Sequence, residues 1–220
     1  MRRHIPSSLV GLLLLATLVG CGTDKPTRLY VLSAMPDTTG MTSTHGVAIG
    51  IGPVTLPKYL DRPQIVTRVD SNSLAQANLD QWGGDLYDNI THVLATNLSN
   101  LLQTDRVSLY PWKDRAPVQY QITLDITRFE RDADGSTVFS AFWSIVDPND
   151  GKVLLMRRST YRDATKATVP SSTAAGQGTQ TQGTEAQGTE AYDAIAAAMS
   201  RNLDKFSHDV AAAVLSLKRA

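Results

Sequence analysis

Val118-Gln119-Tyr120-Gln121-Ile122-Thr123-Leu124-Asp125-Ile126-Thr127 alternates apolar and polar residues without a break. Ten residues of period two describe a strand with one buried face and one wet face. The alternation changes phase at Arg128-Phe129, which predicts a bulge or the end of pairing. Asp134-Gly135 then gives a tight hairpin signal. Thr137 to Val146 reads as the partner strand, with Phe139, Ala141, Trp143 and Ile145 on one face. Asn149-Asp150-Gly151 makes a second turn and Lys152 to Tyr161 a third strand, so the three form an antiparallel meander.

Upstream, Arg28 to Ser33, Val47 to Ile51 and Gln64 to Val69 read as strands, the second of them ended by Pro53. Residues 34–45 read as a loop, and Pro57 and Pro63 argue against a helix between the second and third strands. Leu86, Ile90, Val93, Leu94, Leu98, Leu101 and Leu102 form one apolar stripe, predicting a helix with Asp85 as its N-cap. Arg106 to Tyr110 is a further short strand. Tyr192, Ile195, Met199, Leu203, Phe206, Val210, Ala213, Val214 and Leu217 predict a last helix of about 26 residues, roughly 39 Å long. Its polar face, with Arg201, Asp204, Lys205 and Asp209, has no basic excess, so it reads as packing on a sheet rather than lying on a membrane. Residues 163–189 carry Gln-Gly-Thr at 177, 182 and 187 and no apolar period, and read as a flexible surface loop. The order β-β-β-α-β-β-β-β-α predicts an α/β single layered domain, a mixed and largely antiparallel sheet with two long amphipathic helices packed on it.

The 220 residues are 42% hydrophobic, 19% charged and 6% aromatic, with 21 basic and 21 acidic side chains. A neutral chain has no basic field for nucleic acid, and this apolar fraction excludes wholesale disorder. The single cysteine excludes an internal disulfide and a multi-cysteine metal or cluster site.

That cysteine decides more by its place than by its number. Met1-Arg2-Arg3-His4 is a short positive start, and residues 9–19 (LVGLLLLATLV) are an apolar run of about eleven residues, too short to span a bilayer. Together they make a secretory signal peptide. Leu18-Val19-Gly20-Cys21 resembles the lipobox of bacterial lipoproteins. That resemblance implies cleavage before Cys21 and acylation of its thiol and amine, a stable anchor because several chains act together. It also implies export to the outer membrane, because Gly22 rather than Asp follows the cysteine. The expected organisation is 1–20 signal peptide, 21–27 lipidated tether and 28–220 a single domain. Loss of Arg2 and Arg3 leaves the mature chain a mild net negative charge.

No catalytic constellation stands out. His45, His92 and His208 have no zinc-type spacing, and His92 and His208 read as surface histidines. Gly50-Ile51-Gly52-Pro53 lacks the third glycine of a dinucleotide fingerprint, and Pro53 lacks the N–H a phosphate would want, so close strand packing explains it better. The sequons at Asn89 and Asn97 fall inside a helix, and Asp132 and Asp134 sit at a turn that favours Asp for backbone reasons. No catalytic residue, metal ligand or cofactor is expected apart from covalent lipid on Cys21.

Gly52-Pro53-Val54-Thr55-Leu56-Pro57-Lys58-Tyr59-Leu60-Asp61-Arg62-Pro63-Gln64-Ile65-Val66-Thr67-Arg68 is hard to explain by folding alone. With the lipobox, Tyr30-Val31-Leu32, Trp82, Tyr110-Pro111-Trp112 and Tyr192-Asp193-Ala194, it resembles the ABC-type transport auxiliary lipoproteins, the PqiC-like family. Trp82-Gly83-Gly84-Asp85-Leu86 departs from the family's Trp-Ala-Glu-Pro-Leu, which puts the helix start in question. The resemblance implies a non-enzymatic lipoprotein on the outer membrane, facing the periplasm. Its partners would be an MCE-domain or Pqi-type membrane protein and an ABC transporter, in intermembrane lipid transport that supports envelope integrity. A homo-oligomer is compatible with it. Leu56, Tyr59, Leu60, Asp61, Arg62, Trp82 and Trp112 are the candidate docking residues; core packing is the alternative for the aromatics, and a local Asp61–Arg62 ion pair for that dipeptide. Two other functions stay open: an assembly or pilot lipoprotein of another envelope complex, and lipid carriage in a pocket of the chain.

Overall fold

The computed structural model describes residues 26–36, 46–112, 117–165 and 182–219, with side chains of the last helix from Ala191 onward. Among these residues are eight strands, β1 (Arg28–Tyr30), β2 (Ile49–Thr55), β3 (Gln64–Arg68), β4 (Leu74–Trp82), β5 (Val107–Leu109), β6 (Tyr120–Arg131), β7 (Ser136–Val146) and β8 (Val153–Ala164). Two helices accompany them, α1 (Leu86–Leu102) and α2 (Gln182–Lys218). The signal peptide, Cys21 and the tether as far as Lys25 lie outside the described residues.

The alternating stretch is the middle of the sheet. β6 pairs antiparallel with β7 along nearly its whole length, and β7 with β8. The register slips between Ile126 and Arg128, the bulge that the phase change predicts. It lets Phe129 follow Ile126 into the core, and both are 1% exposed. On its other edge β6 is shared. Tyr120 to Asp125 pair in parallel with β2, and Arg131 at the far end pairs in parallel with Thr67 of β3. β4 lies antiparallel on β3, β1 parallel on β4, and β5 parallel on β2. The result is a mixed sheet curled into a half-barrel with both helices on one side, a single α/β domain.

Three details differ from the sequence reading. β2 does not stop at Pro53; it runs on to Thr55, because a register shift between Ile51 and Val54 absorbs the Gly52-Pro53 step. β4 lies in a stretch the sequence leaves unassigned. Its Ala, Gln, Asn and Asp residues have little intrinsic strand preference, and neighbours on both edges impose the conformation. Asp80 is buried there because Arg28 Nε and Nη2 donate to it at 2.7 and 2.8 Å and the Tyr30 hydroxyl at 2.8 Å. Finally, residues 163–189 are not all loop. β8 continues to Ala164, and α2 starts at Gln182, so helical propagation from the packed Ala-rich segment reaches back through Gly183 and Gly188. Residues 166–181 lie outside the described residues. Asp85 does occupy the N-cap of α1, with an extended backbone but no side-chain capping bond.

The core between sheet and helices centres on Phe206 of α2. Its ring stands 5.1 Å from that of Phe139, 5.6 Å from Trp143 and 6.1 Å from Tyr161. Polar residues on the inner face of α2 set its rotation. Ser200 Oγ accepts from Ser33 N–H, and Asn202 Nδ2 donates to Thr137 Oγ1 at 2.9 Å. Asn97 of α1 donates to Asp204 and Ser207 and accepts from Met35 N–H at 2.8 Å. An apolar stripe alone would let the helix slide; these paired buried groups fix one position. At the rim, Asp163 of β8 accepts from Arg201 and Lys205 of α2. Burial opposes ionisation of Asp163, but those hydrogen bonds outweigh it and hold its carboxyl below the ordinary carboxylate range.

Phe206→Ala is expected to cost about 3–5 kcal/mol in urea unfolding, because four aromatic rings share that space. Asp163→Asn tests the rim contact. An acid with a depressed folded pKa stabilises above its unfolded value and loses that contribution as pH falls through the folded one. The variant should therefore melt below wild type at pH 7, and the gap should start to close near about pH 4 and vanish as the pH falls through the lowered folded value.

Candidate docking surfaces

The proline-rich segment is an excursion from the edge of β6. The chain leaves β6 after Thr55 pairs with Asp125 and returns when Thr67 pairs with Arg131. Between these points Leu60 N–H bonds to Pro57 O at 2.9 Å and Arg62 N–H to Leu60 O at 2.9 Å, a compact turn. The turn folds over Glu130, which is 0% exposed although it lies on the side of the sheet away from the helices. Tyr59 Oη donates to Glu130 Oε2 at 2.9 Å. Arg68 Nε and Arg128 Nε donate to Oε1 at 3.1 and 2.7 Å, and Phe129 N–H donates to Oε2 at 3.0 Å. Every oxygen of the buried carboxylate is thus satisfied by donors from the turn, β3 and β6. Burial, then the neighbouring carboxylate, push the Tyr59 phenol well above its ordinary pKa, so it stays a donor.

This geometry sorts the seven candidate docking residues. Leu60 is 3% and Trp82 4% exposed, so both are core residues and neither presents a surface. Leu60 packs in the hydrophobic core, and Trp82 closes β4 with its backbone N–H on Pro63 O. Tyr59 is half-buried on Glu130, and Leu56 is half-buried against the core. Asp61 is exposed, and its ion-pair partner is Lys58 Nζ at 3.4 Å rather than Arg62. Arg62 is half-buried. Trp112 is 38% exposed and meets Tyr110 edge-on at 5.6 Å.

Trp112 also explains the glycines. A Cβ on Gly50 would lie 2.6 Å from Trp112 Cη2, and one on Gly52 2.6 Å from Tyr110 Cβ, where φ is already +115°. Gly50 and Gly52 make room for two aromatic rings on the sheet, consistent with close packing rather than phosphate binding.

The same side of the sheet, away from the helices, stays open across β2, β6, β7 and β8. Pro53, Thr55, Thr123, Asp125, Phe142, Ser144 and Met156 line a shallow cleft of about 430 Å³ there. Phe142 is 48% and Met156 69% exposed, and Arg158 stands 5.6 Å over the Phe142 ring. β8 closes the sheet at this side and pairs only with β7 among the described residues. Neither Phe142 nor Met156 is a sequence candidate. A signal existed for Phe142, a large apolar residue in the wet phase between Ala141 and Trp143. Glu130 had none, because an acid in a wet phase looks ordinary. Among the described residues no group of three or more His, Cys, Asp or Glu side chains is placed to hold a metal, and no helix is long and apolar enough to cross a membrane.

The family model of the ABC-type transport auxiliary lipoprotein component matches residues 30–211. The chain belongs to this family. Its members are lipoproteins of the cell envelope that assist ABC-type transport, and the match spans β1 to the last turns of α2. The fold is shared with a crystal structure of a Xanthomonas campestris protein at 14% identity and a TM-score of 0.66, covering 88% of this chain and 97% of that one. A second crystal structure, of an uncharacterised protein, is 16% identical with a TM-score of 0.62, covering 86% and 99%. A PelC dodecamer from Paraburkholderia phytofirmans is 12% identical over 73% of this chain and 96% of that one, with a TM-score of only 0.37. No curated protein matches the chain in sequence.

Two substitutions test the turn over Glu130. Glu130→Ala takes the shared carboxylate from half-buried Arg68 and Arg128 and from the Tyr59 hydroxyl, leaving the arginines only Ser71 O and Asp132, and is expected to cost about 3 kcal/mol. Tyr59→Phe removes one donor and should cost about 1–2 kcal/mol. Denaturant unfolding reads both, and equal losses would deny Glu130 its central place.

Proposed function

We propose that the mature chain is held to the outer membrane by lipid on Cys21, faces the periplasm, and serves as a non-enzymatic accessory of an MCE or Pqi-type intermembrane lipid transport system, supporting envelope integrity. The observation that carries the reading is the family match over residues 30–211 behind a lipobox at Leu18-Val19-Gly20-Cys21. Gly22 supports export past the inner membrane. Trp112 and Tyr110, with the open sheet side at Phe142 and Met156, offer apolar surface to an MCE-domain or Pqi-type partner and its ABC transporter. Apolar patches of this kind on a folded domain mark interaction sites. The cleft is shallow and lies on the open side of the sheet, which favours protein docking over carriage of a lipid by this chain alone.

The test is a cross-linked pull-down of the lipidated protein from envelope, beside Cys21→Ser. The wild type should fractionate with the outer membrane and recover an MCE-domain or Pqi-type protein. Cys21→Ser should fold but leave the membrane fraction. Recovery of secretion or barrel-assembly proteins instead would favour a pilot lipoprotein. Retention of Cys21→Ser in the outer membrane after a high-salt wash would remove the anchor reading.

A further inference from the structure

We infer that the β1 edge of the sheet is the side of the molecule that rests on the lipid surface, with Leu29 and Val31 in contact with it and the β8 edge turned away towards partners. This rests on the reading of Cys21 as the lipid anchor.

Leu29 is 67% and Val31 58% exposed, unusual for two apolar residues at the start of a domain. Their orientation follows from strand alternation. Arg28 and Tyr30 both hydrogen-bond to buried Asp80, so Leu29 and Val31 project to the opposite side of β1. Neither is needed by the core. Val31 Cγ1 lies instead over Gly83, where an added Cβ would meet it at 3.1 Å, so the chain beside it is kept low and the methyl groups stand out.

The length of the tether supplies the occupant. Cys21 precedes Pro26, the first described residue, by five residues, and five residues span at most about 16–18 Å. Leu29 follows three residues later. Acyl chains inserted at Cys21 therefore hold the β1 edge near the bilayer whatever path the tether takes. Two exposed apolar side chains held at that distance gain by partitioning into the interface. Arg28 does not resist this, because Asp80 neutralises it within the sheet. β8 is five strand positions away from β1, about 24 Å along the sheet, and carries Arg157 and Arg158 beside Met156 and Phe142. The tether holds the β1 edge at the membrane and puts no such constraint on the β8 edge. The apolar surface at Phe142 and Met156 is then left free for protein.

The experiment uses two lipidated variants, Leu29→Cys and Met156→Cys, each carrying a nitroxide on the new thiol. Acylation occupies the Cys21 sulfur, so each variant has one free thiol. Both are reconstituted in vesicles of phosphatidylethanolamine and phosphatidylglycerol. Collision with oxygen, which concentrates in lipid, is compared with collision with a water-soluble nickel chelate. The expected result is a label at position 29 that favours oxygen over nickel, as a residue buried in the interface does, and a label at 156 that favours nickel. Equal nickel access at both positions, with Cys21 acylated by mass spectrometry, overturns the orientation alone. A label at 29 shielded from both reagents means that a second copy or a partner covers it, and also overturns the orientation. An unacylated Cys21 overturns the anchor reading beneath it.

Discussion

Glu130 is a charged group with no access to water on the side of the sheet away from the helices. A carboxylate in such a place persists only if its lone pairs are filled. Three separate pieces of chain fill them: Tyr59 from the proline-rich turn, Arg68 from β3, and Arg128 with the Phe129 amide from β6. The requirement ties β3 and the proline-rich excursion to β6. It explains why the proline-rich segment is a fixed feature rather than a loose loop, and why β3 rejoins β6 where it does. The curl of the half-barrel is built on that junction, because β4 and β1 hang from β3.

The two sides of the sheet are therefore stabilised by different physics. Towards the helices the core is apolar, with Phe139, Trp143 and Tyr161 around Phe206, and polar pairs such as Asn202–Thr137 fix its register. Away from the helices a local ionic cluster holds one end, while the rest stays open around Phe142 and Met156. A domain that covers only one side of its sheet keeps the other for contact. In a family of auxiliary lipoproteins, that division matches a task of holding position and meeting partners.

Much of the fold was legible. The ten alternating residues from Val118, the phase change at Arg128 and the turn residues at 134–135 and 149–151 describe the meander because each is a local property. The strand β4 was not legible, since Leu74 to Trp82 is extended only through its neighbours. The surface was harder still. Trp82 and Leu60 have the character of docking residues and are core, while Phe142 and Met156, which are not sequence candidates, are exposed. Aromatic or aliphatic identity sets the gain from burial, but not whether another chain segment arrives to provide it.

The sequence by itself determined the α/β class, the two amphipathic helices, the meander and the family to which the chain belongs, because periodicity, turn chemistry and motif are written along the chain. Only the tertiary structure decided that Glu130 is a buried hub, that Gly50 and Gly52 accommodate Trp112 and Tyr110, and which apolar side chains face water. The physical reason is that burial and hydrogen-bond satisfaction depend on residues far apart in sequence. Tyr59 and Glu130 are 71 positions apart, and only the assembled sheet brings the donor to the acceptor.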